Sequence, residues 1–160
     1  MIGDAYVNNG GTTSRGVTIL VKRGQIGNVR KSEDDGVGRI IGILFEHLGR
    51  EYKLVNIYAP SEVKEREDFF ERMAATCCTE CIIVGDFNVW CGRLDASASV
   101  QFKADSSRRR LKEVMKTNGL IDLWRENNPR VFSRYRWRQQ KPLTILLSLY
   151  SQGTGNTLRM

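Results

Sequence analysis

Four apolar residues, Cys81-Ile82-Ile83-Val84, run directly into Gly85-Asp86-Phe87-Asn88, and this stretch constrains the fold more than any other. A short continuous apolar run that follows a helical pattern reads as a strand buried on both faces, inside an α/β sheet. Ligands gather at the carboxyl ends of such strands. With strand geometry carried through the tetrapeptide, Asp86 and Asn88 project to one side and Phe87 to the other. The ring then anchors in the core while a carboxylate and an amide face a cleft. A carboxylate can hold a cation or handle a proton, and an amide can donate to a phosphate oxygen. The same residues also suit a plain polar turn after a buried strand.

The rest of the chain supplies partners for that strand. Residues 5–8, 16–22 (GVTILVK), 39–46 (RIIGILFE) and 52–58 (YKLVNIY) are rich in apolar and β-branched residues and read as strands. The last two are close enough to form an antiparallel hairpin around Leu48-Gly49-Arg50. Residues 25–37 are polar and of mixed charge, which predicts an exposed loop. Pro60 stops the strand before it, and Ser61 is placed to cap a helix reaching about residue 75. Val63, Phe70, Met73 and Ala74 share one helical face, which leaves Lys64, Glu65, Arg66 and Asp68 as a solvated face. Residues 92–105 read as loop. Ser107 is placed to cap a second helix through Asn118, with Leu111, Val114 and Met115 inward and Gly119 as its stop. Residues 120–126 predict a short helical turn, and residues 131–138 a strand.

Beyond Lys141 the texture changes. Residues 142–150 (PLTILLSLY) are apolar without amphipathic order, and residues 151–160 are small and polar. The expected organisation is one partial domain over residues 1–141 and a divergent tail over 142–160. Strands and helices alternate in part and pair as hairpins in part. The fold class is therefore α/β, with mixed β-sheets flanked by helices.

Composition narrows the functional classes. The 160 residues carry a formal charge of +7, which favours polyanionic partners, although a soluble basic protein without such a partner shares that balance. Cys77, Cys78, Cys81 and Cys91 are too crowded for a disulfide framework. Cys78 and Cys81 have C-x-x-C spacing, but structural zinc needs a second pair, so buried free thiols are the expectation. The start Met1-Ile2-Gly3-Asp4 lacks a signal pattern, and no stretch approaches the roughly 20 apolar residues of a membrane helix. The chain reads as a soluble, intracellular monomer, nuclear or cytoplasmic.

Two further groups bear on a phosphate-binding site. Tyr58 closes the strand 52–58 on the same face as Asn56, where its phenol either reaches a phosphate oxygen or simply packs on the sheet. Ser133-Arg134-Tyr135-Arg136-Trp137-Arg138 alternates cation and ring. On a strand, Arg134, Arg136 and Arg138 share a face. They form either a phosphate-tracking row or solvated charges behind an aromatic core face. Arg108-Arg109-Arg110 reads as the solvated first turn of its helix.

The segments RGVTILVK (15–22), KLVNIYAP (53–60), IIVGDFN (82–88) and NGLIDLWRENNPRVF (118–132) resemble, in order and spacing, the endonuclease/exonuclease/phosphatase superfamily. The resemblance is nearest to the apurinic-endonuclease-like nuclease of LINE-type retrotransposons. It implies a four-layer αββα sandwich, incomplete here, that hydrolyses phosphodiesters in DNA with Mg²⁺. By resemblance, Tyr58 contacts the scissile phosphate, Asp86 activates water or protonates the leaving group, and Asn88 positions the phosphate. Asp86 and Asn88 would also approach the metal. Ser61 stands where the family often has an asparagine that touches nucleic acid.

Departures from the pattern are equally specific. The family's metal-binding glutamate, expected upstream of residue 15, has no counterpart. Nor does the S-D-H motif that prepares the nucleophile, and Leu143-Thr144-Ile145-Leu146 stands where an R-I-D-like motif belongs. His47, the sole histidine, falls in the hairpin turn. The expectation is a fragment of a retrotransposon-type DNA endonuclease with weak or no activity, its tail coming from a frame change or a mispredicted junction. The alternatives are a non-catalytic nucleic-acid-binding remnant and a phosphoinositide or other phosphoester phosphatase.

Overall fold

The computed structural model describes residues 3–11, 15–96, 101–131 and 143–148, the last as backbone. Two sheets form. The smaller is an antiparallel hairpin of β1 (Gly3–Asn9) and β2 (Gly16–Lys22). The larger is mixed and contains β3 (Gly27–Asp34), β4 (Ile40–His47), β5 (Arg50–Tyr58), β6 (Cys81–Asp86), β7 (Ile121–Asp122) and β8 (Leu143–Ser148). Its order is β3-β4-β5-β6-β8-β7, with β5 and β6 parallel. Three helices accompany it: α1 (Val63–Ala74), α2 (Ser106–Thr117) and the single turn α3 (Leu123–Asn127).

Strand alternation explains the layering. In β5 and β6, Val55, Ile57, Cys81 and Ile83 are buried against Phe69, Phe70 and Met73 of α1 and Leu111 and Val114 of α2. On the opposite face of β4, Ile41 and Ile43 meet Val17, Ile19 and Val21 of β2. Helices, large sheet and small sheet thus form three stacked layers, as expected of an α/β fold with mixed sheets. On the outer face of the small sheet, Leu20 and Val7 are exposed.

Several expectations hold in detail. The β4–β5 hairpin turns at Leu48 and Gly49, with φ of 51° and 74°. Positive φ at both central positions is the turn whose twist suits a two-residue hairpin. Gly119, with φ of 62°, follows the C-cap of α2. His47 is exposed beside its turn.

Other expectations need correction. Residues 27–34 form an edge strand, not a loop. Its side chains are mostly exposed, so no apolar alternation marked it, and β-bulges break its register with β4. Glu62, not Ser61, is the N-cap of α1 and makes no side-chain cap. Asp105, not Ser107, caps α2 by accepting from the Arg108 N–H. Arg66 is buried rather than solvated, and Val63 is 40% exposed. In the segment 120–126, β7 precedes the helical turn α3. Residues 143–148, where no element was predicted, add β8 to the large sheet beside β6. The strand expected over 131–138 lies outside the described residues after Val131.

Candidate active site

The carboxyl ends of β5 and β6 lie side by side because the strands are parallel, and Tyr58 and Asp86 are register partners there. Register partners leave a parallel sheet on the same face. That face looks toward the β1–β2 sheet, and Tyr58 packs against its Val17-Ile19-Val21 cluster. Gly85 makes the close approach possible. A Cβ on it would stand 2.0 Å from the Ile57 carbonyl oxygen, and its φ of +138° disfavours any side chain. Phe87 takes the opposite face, 1% exposed, with its ring centroid 6.2 Å from that of Phe70.

Asn88 reaches Asp86 differently from expectation. The strand ends at Asp86, and Asn88 turns into the left-handed region with φ of 52°. Its backbone N–H donates to Asp86 Oδ1 at 2.9 Å, an Asx-type turn. Its Nδ2 donates to the Ala59 carbonyl at 2.6 Å, while the Ala59 N–H donates to the Asp86 carbonyl at 2.8 Å. The carboxylate and the amide are neighbours through a folded-back turn, not through continued strand alternation.

Ser61 lies beyond this edge, exposed. Arg66 holds the loop beneath it: Nη1 donates to the Pro60 and Ser61 carbonyls at 3.1 and 2.6 Å. The same guanidinium donates through Nε to Ser107 Oγ at 2.7 Å and pairs with Asp105 at 2.9 Å. One buried cation therefore ties the Tyr58–Ser61 corner to the start of α2. Burial alone would raise the Asp105 carboxyl. The Ser107 hydroxyl, the Arg66 charge and the Arg108 N–H outweigh it and hold the group below the usual carboxylate range.

Arg39 is the functional candidate that sequence reasoning passed over. It sits just before β4, its carbonyl accepts from the Tyr58 N–H at 2.8 Å, and its Nη1 donates to the Tyr58 carbonyl at 3.0 Å. Its guanidinium lies 5.6 Å from the Tyr58 ring centroid. The glycines in Gly36-Val37-Gly38-Arg39, just ahead of an apolar strand, were the available signal. Arg134, Arg136 and Arg138 lie outside the described residues.

As to metal, Asp86 and Asn88 offer one carboxylate and one amide. Among the described residues no cluster of three or more His, Cys, Asp or Glu could hold an ion. Mg²⁺ needs near-octahedral oxygen coordination, so these two residues fall short of a complete site. His47 stands at the far end of the sheet, where β4 ends. Two open depressions, of about 410 and 600 Å³, are lined by neither Tyr58, Asp86 nor Asn88: one lies around Gly24–Asn28 and Leu48 and the other along α2. The chemistry-bearing groups decide the site here, not these hollows. Among the described residues no helix is long and apolar enough to cross a membrane.

No family model matches the chain. It is 36% identical over 133 residues to the uncharacterised 149 kDa protein of transposon TX1 from Xenopus laevis, a match spanning 79% of this chain and 10% of that protein. The endonuclease domain of TRAS1, a telomere-specific non-LTR retrotransposon, superposes with a TM-score of 0.58 at 14% identity, over 90% of this chain and 65% of that one. TDP2 from D. rerio, complexed with a single-strand DNA product, gives a TM-score of 0.55 at 12% identity, over 91% and 62%. The chain spans about a tenth of its curated relative and under two thirds of these solved domains. It shares its fold with these solved domains.

Proposed function

We propose that the chain belongs to a phosphodiesterase of retrotransposon type that cleaves the DNA backbone, and that alone it turns over slowly. One observation carries the reading: Tyr58 and Asp86 are paired in register at adjacent carboxyl ends, with Asn88 folded back onto the Asp86 carboxylate. In this reading a water oxygen attacks phosphorus and the bond to the leaving sugar oxygen breaks. Asp86 takes the water proton or supplies one to the leaving oxygen. The Tyr58 phenol and the Asn88 amide hold phosphate oxygens, and Ser61 borders the strand of DNA. Mg²⁺ is the ion that the resemblance calls for. Asp86 and Asn88 are the donors brought by the described residues.

Nicking of supercoiled plasmid with Mg²⁺ tests the proposal. Asp86→Ala should lower the rate by about 10²–10⁴-fold, the usual weight of acid–base catalysis. Equal nicking by wild type and variant would sink it. A second reading, a nucleic-acid-binding remnant without catalysis, is favoured by the donor set of the described residues, which is one carboxylate and one amide. It predicts DNA binding that weakens with salt and no Asp86-dependent nicking.

A further inference from the structure

We propose that Arg15 and Arg39 form a two-pronged clamp for a nucleic-acid phosphate adjoining the one held by Tyr58, Asp86 and Asn88. The clamp deepens the nuclease reading and rests on it for the identity of the polyanion.

Two loops build the clamp, and glycines let them touch. A Cβ on Gly38 would stand 2.3 Å from the Gly10 nitrogen and 3.3 Å from the Arg15 Cβ, and one on Gly10 would stand 2.6 Å from the Arg15 Cβ. Gly10 and Arg15 therefore lie directly on the loop that carries Arg39. Asn8, 4% exposed, locks the arrangement. Its Nδ2 donates to Asp35 Oδ1 and to the Ile40 carbonyl, and its Oδ1 accepts from the Gly38 N–H. So many partners for one buried amide make this junction a fixed one.

The charges on this junction are unbalanced. Among the described residues no carboxylate lies within ion-pair distance of either guanidinium. The nearest acid in the sequence, Asp35, spends Oδ1 on the Asn8 amide and on the Val37 and Arg39 N–H groups. Burial and the neighbouring Arg15 both push the Arg39 pKa down, with Glu65, Tyr58 and Asp35 offsetting them only in part. Two like charges held together by fixed backbone repel each other, and an anion between them removes the repulsion. Guanidinium forks match phosphate oxygens in pairs. The position selects the anion: Arg39 holds the Tyr58 carbonyl and overlies its ring, and Tyr58 is the register partner of Asp86. A phosphate on the arginines and another at Asp86 would then be successive groups along one strand.

Fluorescence anisotropy with a labelled DNA duplex, titrated at several salt concentrations, tests the clamp on the 160-residue chain. Arg15→Gln and Arg39→Gln should each weaken binding about tenfold and lower the salt slope by about one phosphate contact. Arg72→Gln, at the far end of α1, should leave that slope intact. Circular dichroism checks each fold. Arg15 is exposed and makes no hydrogen bond among the described residues, so Arg15→Gln decides the matter if Arg39→Gln unfolds. Wild-type binding and slope in a folded Arg15→Gln variant would overturn the clamp, as would a wild-type chain that binds no DNA. Arginine-dependent binding without Asp86-dependent nicking would uphold the clamp while removing the nuclease reading. Asp86-dependent nicking with arginine-independent binding would do the reverse.

Discussion

At residue scale, the close approach of β5 and β6 beneath Asp86 rests on Gly85, whose missing side chain leaves room for the Ile57 carbonyl. Asp86, Asn88 and Tyr58 stood out because polar groups at strand ends are legible from alternation, and the structure brings all three to one edge. Gly85 did not stand out, because its reason lies on another strand. Ala at position 85 would press its methyl into the Ile57 carbonyl and force a non-glycine residue into a positive φ. Gly85→Ala should therefore destabilise the fold by about 3 kcal/mol, read as a lowered urea midpoint at unchanged m-value. An unchanged midpoint would show that β5 and β6 can separate without loss. The thiols make a second residue-scale prediction. Burial pushes the Cys77 thiol up to about 11 and the Cys81 thiol up to about 12, whereas Cys78 is exposed. Iodoacetamide at neutral pH should modify Cys78 first and leave Cys77 and Cys81 until the chain unfolds. Equal labelling rates, followed by mass spectrometry, would refute their burial.

At the scale of elements, amphipathic order decided what sequence could see. β2 alternates exposed and buried along its whole length, and α2 has one clean apolar face, so both were anticipated. β3 is polar on both sides and earns its place by backbone pairing to β4, which leaves no imprint on side-chain pattern. Arg66 shows the same blindness on a helix. Its charge promised solvent, yet the Ser107 hydroxyl, Asp105 and two carbonyls 39 to 41 and 5 to 6 residues away remove it from water. Arg66→Ala should cost about 3–5 kcal/mol, the usual loss when one partner of a buried ion pair is deleted. Acid should act on the same joint. The Asp105 pKa is lower folded than unfolded, so its contribution is complete above the unfolded value near 3.8. That contribution fades as pH falls below 3.8 through the folded value. Asp105→Asn should therefore flatten the acid limb of a stability–pH curve, and an unaltered limb would remove Asp105 from the account.

At the scale of the whole molecule, the open question in the sequence was the tail. The apolar run after Lys141 has no alternation to orient it and no turn signal to bound it, so composition alone set it apart from the domain. The backbone places Leu143–Ser148 between β6 and β7, antiparallel to both. That position matters for the site, because β6 carries Asp86 and its register partner on this side is Leu143. A chain ending at Lys141 would leave the outer edge of β6 unpaired along its full length and β7 without its neighbour. Unpaired edges of apolar strands recruit other chains. Such a truncation should elute as higher oligomers on size exclusion, melt below the full chain, and lose any Asp86-dependent nicking. If it instead remains monodisperse with an unchanged melting temperature, residues 142–160 add nothing to the sheet, and the division at Lys141 marks the real limit of the domain.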